Sequence, residues 1–274
     1  MIIIVAKTLI IYKKEGETPL ECLERFRLEN PNYKDTVLSY AGRLDPMAEG
    51  VLLVLIGDEN KKREEYLGLD KTYEVEILFD ISTDTGDILG IPTPGTHSSF
   101  SAGNLARGSG NAEKEELWKG VENNLKNFIG TFTQKYPAYS SKTVKGKPLF
   151  KWARENKLQE IEIPEKTSRI YDIELMNHFD MTGKKILSQI KERIEKVNGD
   201  FRQFEIQTAW EKVLKEKENE IFDGIKIKVK CSSGTYMRTL AEEIAKKQNT
   251  SGIAWRIKRL LIHEKHQTDI DNFK

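Results

Sequence analysis

The sequence predicts a fold of the α+β class, in which strands and helices follow one another in an irregular order. Short apolar runs, several of them strictly alternating, predict strands at residues 2–5, 8–12, 51–56, 71–79 and 225–231. Apolar residues at helical spacing predict helices at residues 18–30, 112–129, 148–154, 186–194, 206–214 and 235–244. Residues 91–110 are rich in Gly, Ser, Pro and Thr without periodicity, and they predict a long loop. The 274 residues provide enough material for one large domain or two small ones.

The composition is that of a protein without a membrane span. Hydrophobic residues make up 38% of the chain, and no run approaches the roughly 18 apolar residues of a spanning helix. The N-terminal residues lack a basic leader and a small-residue cleavage site, so we expect no signal peptide. Cys22 and Cys231 supply neither a disulfide framework nor a metal cluster, and we expect two buried thiols in a reducing, cytoplasmic environment. With a net charge of +1, any site for a polyanion requires a local concentration of Lys and Arg.

Residues 40–56 place a carboxylate in a stiff turn directly before an apolar segment. Pro46 fixes its own φ and disfavours helical backbone at Asp45, while Gly42 and Gly50 permit conformations or close approaches that a β-carbon obstructs. A rigid loop that leads into a core strand is a suitable position for a nucleophilic or general-base carboxylate. An Asp-Pro pair on its own is more often an ordinary polar turn, so the assignment depends on the rest of the chain.

Residues 42–52 resemble the G-x-L-D-P-x-A-x-G-V-L signature of the TruB family of pseudouridine synthases. The resemblance implies that Asp45 is the catalytic nucleophile. Residues 71–73 are similar to the family's K-x-Y motif, whose tyrosine stacks on the target base, and this implies a catalytic role for Tyr73. Alternation alone indicates only that Tyr73 is a core aromatic residue. Residues 82–87 look like the family's T-D-T-x-D turn, and we expect them to support the site structurally.

A basic segment with interleaved tyrosines occupies residues 134–150. Its expected RNA-binding residues are Lys135, Tyr139, Lys142, Lys145 and Lys147. Such a composition fits a loop that contacts an RNA backbone and unstacked bases, although most lysine-rich segments are only solvated. The segment resembles the family's Q-x-P-P-x-Y-S-A-x-K-x-x-G-x-x-L-Y motif, an RNA-binding thumb loop. This resemblance favours the RNA-binding interpretation for a thumb loop at about residues 134–155.

The strand at residues 225–231 leads into a segment that resembles the family's S-x-G-T-Y-I-R motif. We expect Thr235 to cap the helix that follows, which places Arg238 in its first turn. The helix dipole disfavours a cation there, so the position indicates a specific partner; without one, Arg238 is an ordinary surface arginine. The resemblance implies that Arg238 forms an ion pair with Asp45 and that Tyr236 lines the uracil pocket.

Four further residues are expected to bind substrate. Ile257 takes the position of a pocket-lining leucine in a segment similar to the family's terminal L-R-R-L element. Tyr40 stands where the family usually has a histidine that holds flipped nucleotides. We expect either that Tyr40 substitutes for it by stacking or that the affinity for RNA differs. Lys13 belongs to a segment similar to the family's K-P-x-G opening, with Lys14 in place of the proline, and Arg43 lies inside the signature around the carboxylate.

The resemblance extends from about residue 8 to 265 and implies the pseudouridine synthase fold, with a mostly antiparallel central sheet, flanking helices and the thumb loop. We expect one catalytic domain over residues 1–274, an inserted helical segment at about 180–222, and no length for a C-terminal PUA domain. The implied reaction converts the T-loop uridine at position 55 of tRNA to pseudouridine without metal or cofactor. The expected partner is the T arm and T loop of tRNA, and we expect a monomer that does not associate with membranes.

Two alternatives of different kinds stay open. One is a guide-RNA-dependent pseudouridine synthase, against which the expected absence of a PUA domain counts. The other is a non-catalytic tRNA-folding chaperone that keeps the thumb loop but not the chemistry. Retention of all four residues expected at the reacting centre argues against the chaperone: Asp45, Tyr73, Tyr236 and Arg238. The residues of the inserted segment indicate no specific function, and we expect it either to widen the RNA surface or to cover a sheet edge.

Overall fold

The computed structural model describes residues 3–5, 7–94 and 111–263. Its strands are β1 (Ile3–Val5), β2 (Thr8–Lys13), β3 (Leu38–Ala41), β4 (Ala48–Ile56), β5 (Lys71–Phe79), β6 (Ile81–Thr83), β7 (Pro92–Pro94), β8 (Gly130–Lys135), β9 (Thr143–Val144), β10 (Lys147–Pro148), β11 (Glu165–Thr182), β12 (Ile221–Cys231) and β13 (Gly252–Ile262). Its helices are α1 (Pro19–Glu29), α2 (Arg63–Leu67), α3 (Asn111–Lys126), α4 (Leu149–Arg154), α5 (Gly183–Ile194), α6 (Gln203–Leu214) and α7 (Met237–Lys247). Within these residues, no helix is both long and apolar enough to cross a membrane.

Nine of the described strands form one sheet in the order β1-β2-β4-β13-β5-β12-β11-β8, with β3 attached to β4. Only the β13–β4 pair is parallel among the pairs in this part of the chain, so the sheet is mostly antiparallel as predicted. That parallel pair sets Ile257 beside Ala48 and Arg259 beside Gly50. Across the other edge of β13, Arg259 faces Tyr73 of β5. The sheet therefore brings together the starts of β4 and β5 and the middle of β13.

Helices pack against both faces of the sheet, because the central strands are apolar on both sides. One core contains α7 and the end of α3 against β5 and β12, with Ile77 and Ile227 among its fully buried residues. The other contains α5 and α6 and buries Leu78, Trp210 and Trp255. Neighbouring residues of β5 thus belong to different cores, as the two-residue repeat of a strand requires.

The helices predicted from periodicity at residues 186–194 and 206–214 are α5 and α6, and their apolar faces are buried as predicted. Arg193 attaches α5 to the rest of the protein. Its side chain is 2% exposed, lies 2.7 Å from a carboxylate oxygen of Glu15, and donates a 2.7 Å hydrogen bond to the carbonyl of Trp255. A buried arginine with these partners fixes the helical pair beside β13.

Helix α1 begins with the predicted capping box. The Thr18 hydroxyl accepts from the Glu21 amide, and the Glu21 carboxylate accepts from the Thr18 amide. Pro19 is the first helical residue and Asn30 ends the helix. Such caps contribute about 1 kcal/mol each.

The prediction that Thr235 caps the last helix is wrong. Helix α7 starts at Met237 with Tyr236 at the N-cap and no side-chain cap. The Thr235 hydroxyl instead donates 2.9 Å back to the carbonyl of Ser232, which closes the preceding turn. The helix predicted to reach residue 129 ends earlier, at Lys126. Of the loop predicted at 91–110, residues 92–94 form β7, and 95–110 lie outside the described residues.

Candidate active site

The turn that carries Asp45 joins β3 to β4 and is stabilised by hydrogen bonds within the turn and from the buried side chain of Lys13. The Ala48 amide donates to the Asp45 carbonyl at 3.0 Å, which closes the turn. Lys13 is fully buried, and its ammonium donates to the carbonyls of Ala48 at 2.6 Å and Pro46 at 3.3 Å. Burial lowers the pKa of Lys13 to about 8, although the nearby Asp45 carboxylate acts in the opposite direction. Lys13 therefore supports the turn through hydrogen bonds from its ammonium to backbone carbonyls.

A second buried cation, Arg259, holds the same turn from the side of β13. Its side chain is 1% exposed and donates to the carbonyls of Val51 at 2.8 Å and Gly42 at 3.1 Å. Gly50 has a φ of +116°, and a β-carbon there would overlap the carbonyl oxygen of Arg259. Only glycine permits this contact between β4 and β13, so the close approach expected at Gly50 is present.

Arg238 lies beside Asp45, so the predicted ion pair is present in the structure. The guanidinium is 3% exposed, and its Nε lies 2.8 Å from Asp45 Oδ2. Nη1 donates to the carbonyl of Thr85 at 2.7 Å, and Nη2 donates to the carbonyl of Tyr139 at 3.2 Å. Asp87 approaches Nε at 3.8 Å. The 82–87 turn and the thumb loop therefore both orient the arginine toward the carboxylate.

The charges around Arg238 explain how a cation is kept in the first turn of α7. Burial lowers the pKa of Arg238, but the carboxylates of Asp45 and Asp87 more than offset this, and the pKa stands above its usual value. For Asp87, burial raises the pKa and Arg238 opposes the increase. The Asp45 side chain is 42% exposed, so this carboxylate is both paired and open to a substrate.

Asp45 and Arg238 line two adjacent cavities. The first, which we call the Tyr73 cavity, has a volume of about 360 Å³ and is also lined by Tyr73, Tyr236 and Ile257. Burial raises the pKa of Tyr236 to about 12 and also raises the pKa of Tyr73, so both phenols are protonated near neutral pH. Flat aromatic and apolar walls next to a carboxylate suit a planar, neutral base.

The second, which we call the Tyr40 cavity, has a volume of about 480 Å³. Tyr40 and Arg43 line it from the segment before Asp45, and Tyr139 lines it from the thumb loop. The connection between α5 and α6 forms a further wall through Asp200, Phe201 and Arg202. Sequence reasoning missed this wall, because the connection shows no periodicity and no charge run.

The thumb loop contains the β9–β10 hairpin and α4. Lys135, Lys142 and Lys145 are exposed, and Lys142 lies 5.0 Å from the centroid of the Tyr136 ring. Lys145 also donates to a backbone carbonyl at 3.2 Å. Lys147 is half-buried, pairs with Glu155 at 2.7 Å and lies over a tryptophan ring. The loop thus offers exposed cations to a polyanion, while Lys147 already has partners within the protein.

The structure brings together most of the residues that the sequence singled out. Those lining one or both cavities are Tyr40, Arg43, Asp45, Tyr73, Tyr139, Tyr236, Arg238 and Ile257. Lys13 lies beneath the turn, and the thumb lysines lie outside the two cavities. Asp87 lies in the turn at residues 82–87 that we expected to support the site. The role of Arg259 was not predicted, because β13 also carries Arg256 and Lys258 and the sequence does not show which of these cations is buried.

Comparison with solved structures identifies the fold. The crystal structure of a Cbf5–Nop10–Gar1 complex superposes with a TM-score of 0.51 over 93% of this chain and 48% of that chain, at 14% identity. At this identity the similarity establishes the architecture alone. It confirms the predicted fold class, a mixed α/β arrangement around a central sheet.

Comparison of sequences identifies the family. The family described as "TruB family pseudouridylate synthase (N terminal domain)" matches residues 33–192. A tRNA pseudouridine synthase B of Caldicellulosiruptor saccharolyticus is 30% identical over 251 residues, 92% of this chain and 65% of the relative. One of Francisella tularensis subsp. novicida is 30% identical over 213 residues, 78% of this chain and 51% of the relative. The chain belongs to the TruB family, and it spans between a half and two thirds of the length of these relatives.

Proposed function

We propose that this chain isomerises a uridine in the T loop of tRNA to pseudouridine, with Asp45 as the reacting carboxylate. The observation that carries the proposal is the half-exposed Asp45 paired with the buried Arg238 at the junction of two cavities. In this reaction the bond from C1′ of the ribose to N1 of the uracil breaks, and a bond from C1′ to C5 forms. The proton on C5 is lost and N1 is protonated, so the reaction is an isomerisation without oxidation or reduction.

The residues around Asp45 have separate roles in this proposal. Asp45 either attacks the sugar or base covalently or stabilises positive charge at C1′ as the glycosidic bond breaks. Arg238 orients the carboxylate through the 2.8 Å contact and holds its charge in a buried environment. Tyr73 stacks on the extruded uracil, while Tyr236 and Ile257 enclose the base.

A tRNA T loop fits the remaining features. The curated relatives are named tRNA pseudouridine synthases, and a loop nucleotide costs less to extrude than a paired one. The exposed thumb lysines provide the cations that a phosphate backbone requires. We further propose that a single chain is the working unit, because residues of one chain line both cavities.

Tritium release tests the reaction and its target. A tRNA transcript tritiated at C5 of uridine is incubated with the purified protein alone, and we expect one equivalent of tritium in water. Replacement of the T-loop uridine by cytidine should abolish the release. Release that survives this replacement would retain the chemistry and refute the target, whereas tight tRNA binding without release would refute the proposal. In that last case, addition of candidate guide RNAs distinguishes a guide-dependent enzyme from a folding chaperone.

Asp45→Asn tests the role of the carboxylate. We expect the single-turnover rate to fall by about 10³-fold or more, since the amide is a poor nucleophile, while tRNA affinity changes less than about threefold. Asp172→Asn is the matched control, because Asp172 is an exposed carboxylate on β11. Full turnover by Asp45→Asn would show that the assignment of Asp45 is wrong.

A further inference from the structure

Arg202 connects the inserted helical segment to the candidate active site. It ends the connection between α5 and α6, has a φ of 62°, and lines the Tyr40 cavity with a side chain that is 17% exposed. A left-handed conformation at a non-glycine residue is uncommon and persists where surrounding contacts hold it. The contacts of the Arg202 guanidinium show which segments hold this residue in place.

The guanidinium of Arg202 lies between two segments that are distant in sequence. Nη1 is 2.8 Å from Asp84 Oδ2, in the turn after β6. The guanidinium carbon is 4.4 Å from the centroid of the Tyr139 ring, in the thumb loop. One planar cation thus forms an ion pair with one segment and a cation–π contact with the other, a combination that suits arginine better than lysine.

The same two segments accept hydrogen bonds from Arg238, the arginine paired with Asp45. Thr85, the neighbour of Asp84, accepts from Arg238 Nη1, and the carbonyl of Tyr139 accepts from Arg238 Nη2. Arg202 therefore joins the two segments whose carbonyls accept from Arg238. Separation of the segments would remove at least one acceptor from Arg238 and change the direction in which its Nε approaches Asp45.

We propose that Arg202 is a positioning residue, which ties the thumb loop to the turn after β6 and thereby fixes the Arg238–Asp45 pair. This inference rests on the proposed function, and it assigns to the inserted helical segment a part in the reaction. A displacement of about 1 Å at reacting groups can cost roughly 10²-fold in rate. The expected effect is therefore on the chemical step more than on tRNA affinity.

A role in stability alone makes a different prediction. The ion pair of Arg202 is partly exposed, and such pairs contribute little to stability, so we expect the loss of Arg202 to leave the unfolding midpoint nearly unchanged. A large loss of rate in a variant of near-normal stability would therefore not follow from a structural role.

The experiment compares Arg202→Ala, Arg202→Lys and Asp84→Asn with the parent protein in single-turnover tritium release at saturating enzyme. Lys191→Ala is the matched control, because it removes another α5–α6 cation whose partner Glu211 lies on α6. We expect Arg202→Ala to slow the reaction by about 10- to 100-fold with tRNA affinity within about threefold. Arg202→Lys should recover part of the rate through the ion pair, and Lys191→Ala should react at the parental rate.

A double variant tests whether Arg202 and Asp84 act together. If they do, Arg202→Ala combined with Asp84→Asn should lose less rate than the product of the two single losses. An Arg202→Ala variant that reacts at the parental rate would overturn the inference. Equal losses in rate for Arg202→Ala and Lys191→Ala would also overturn it. Both outcomes would leave the proposed function intact. A parent protein that releases no tritium would overturn the proposed function itself, and the inference with it.

Discussion

Gly50→Ala is the most direct test of how the turn of Asp45 is held. The added methyl carbon would overlap the Arg259 carbonyl oxygen and lie 2.7 Å from the Arg259 amide nitrogen. Both atoms belong to the backbone of β13, so the overlap is relieved only if β13 separates from β4. Backbone strain at a φ of +116° costs about 1–3 kcal/mol, and overpacking costs a further 1–3 kcal/mol or so. We therefore expect the free energy of unfolding to fall by about 4 kcal/mol.

Urea unfolding at equilibrium provides the measurement, with Gly57→Ala as the matched control. Gly57 also has a positive φ, +56°, but among the described residues no heavy atom beyond its chain neighbours lies within 4 Å of the added carbon. The control carries backbone strain alone, about 1–2 kcal/mol. Equal losses in the two variants would refute the reasoning, because they would show that the contact between β4 and β13 adds nothing. In the folded Gly50→Ala protein we also expect slower turnover, since a shift of β13 moves Arg259 away from Gly42.

Two further predictions concern single lysines. Lys142→Ala should weaken tRNA binding and reduce the slope of log affinity against log salt concentration by about 0.7–1, since an exposed cation is lost. The matched control is Lys147→Ala, which should change the slope much less because the Lys147 ammonium is already paired with Glu155. Equal slopes for the two variants would contradict the prediction. Lys13 has a pKa lowered to about 8, so the fold favours its neutral form and the parent gains stability as pH rises from about 8 to the ordinary value of 10.5. Lys13→Met should lack this gain in stability, which is worth about 3 kcal/mol. If the urea midpoint of Lys13→Met depends on pH in the same way as that of the parent, the prediction is wrong.

Features encoded by neighbouring residues could be predicted from the sequence. The capping box of α1 follows from the spacing of Thr18, Pro19 and Glu21, and the buried faces of α5 and α6 follow from helical periodicity. The pairing of Asp45 with Arg238 was implied by motif resemblance and not by spacing, since 193 positions separate the two residues, the difference between their numbers.

Features that depend on long-range packing could not be predicted. The parallel pairing of β13 with β4 depends on which strands meet in the core, and an alternating pattern does not specify a partner. The Thr235 prediction was wrong because the helix starts one residue later, with Tyr236 at the N-cap, and Thr235 belongs to the preceding turn, where its hydroxyl donates to the carbonyl of Ser232. The position of Arg202 could not be predicted either, because its contacts with Asp84 and Tyr139 join residues that are distant in sequence and meet only in the folded chain.

The three cations that support the site solve one physical problem. The segments that meet at the site place backbone carbonyls in buried surroundings, and buried carbonyls need hydrogen-bond donors. Lys13 supplies donors to the turn of Asp45, Arg259 supplies them on the side of β13, and Arg238 supplies them to Thr85 and Tyr139. The positive charges of Lys13 and Arg238 also act on the Asp45 carboxylate, which in the proposed function meets a polyanionic RNA. Substitution of any one by an apolar residue should therefore loosen a loop and weaken the local positive field together, which separates these residues from exposed lysines that affect binding alone.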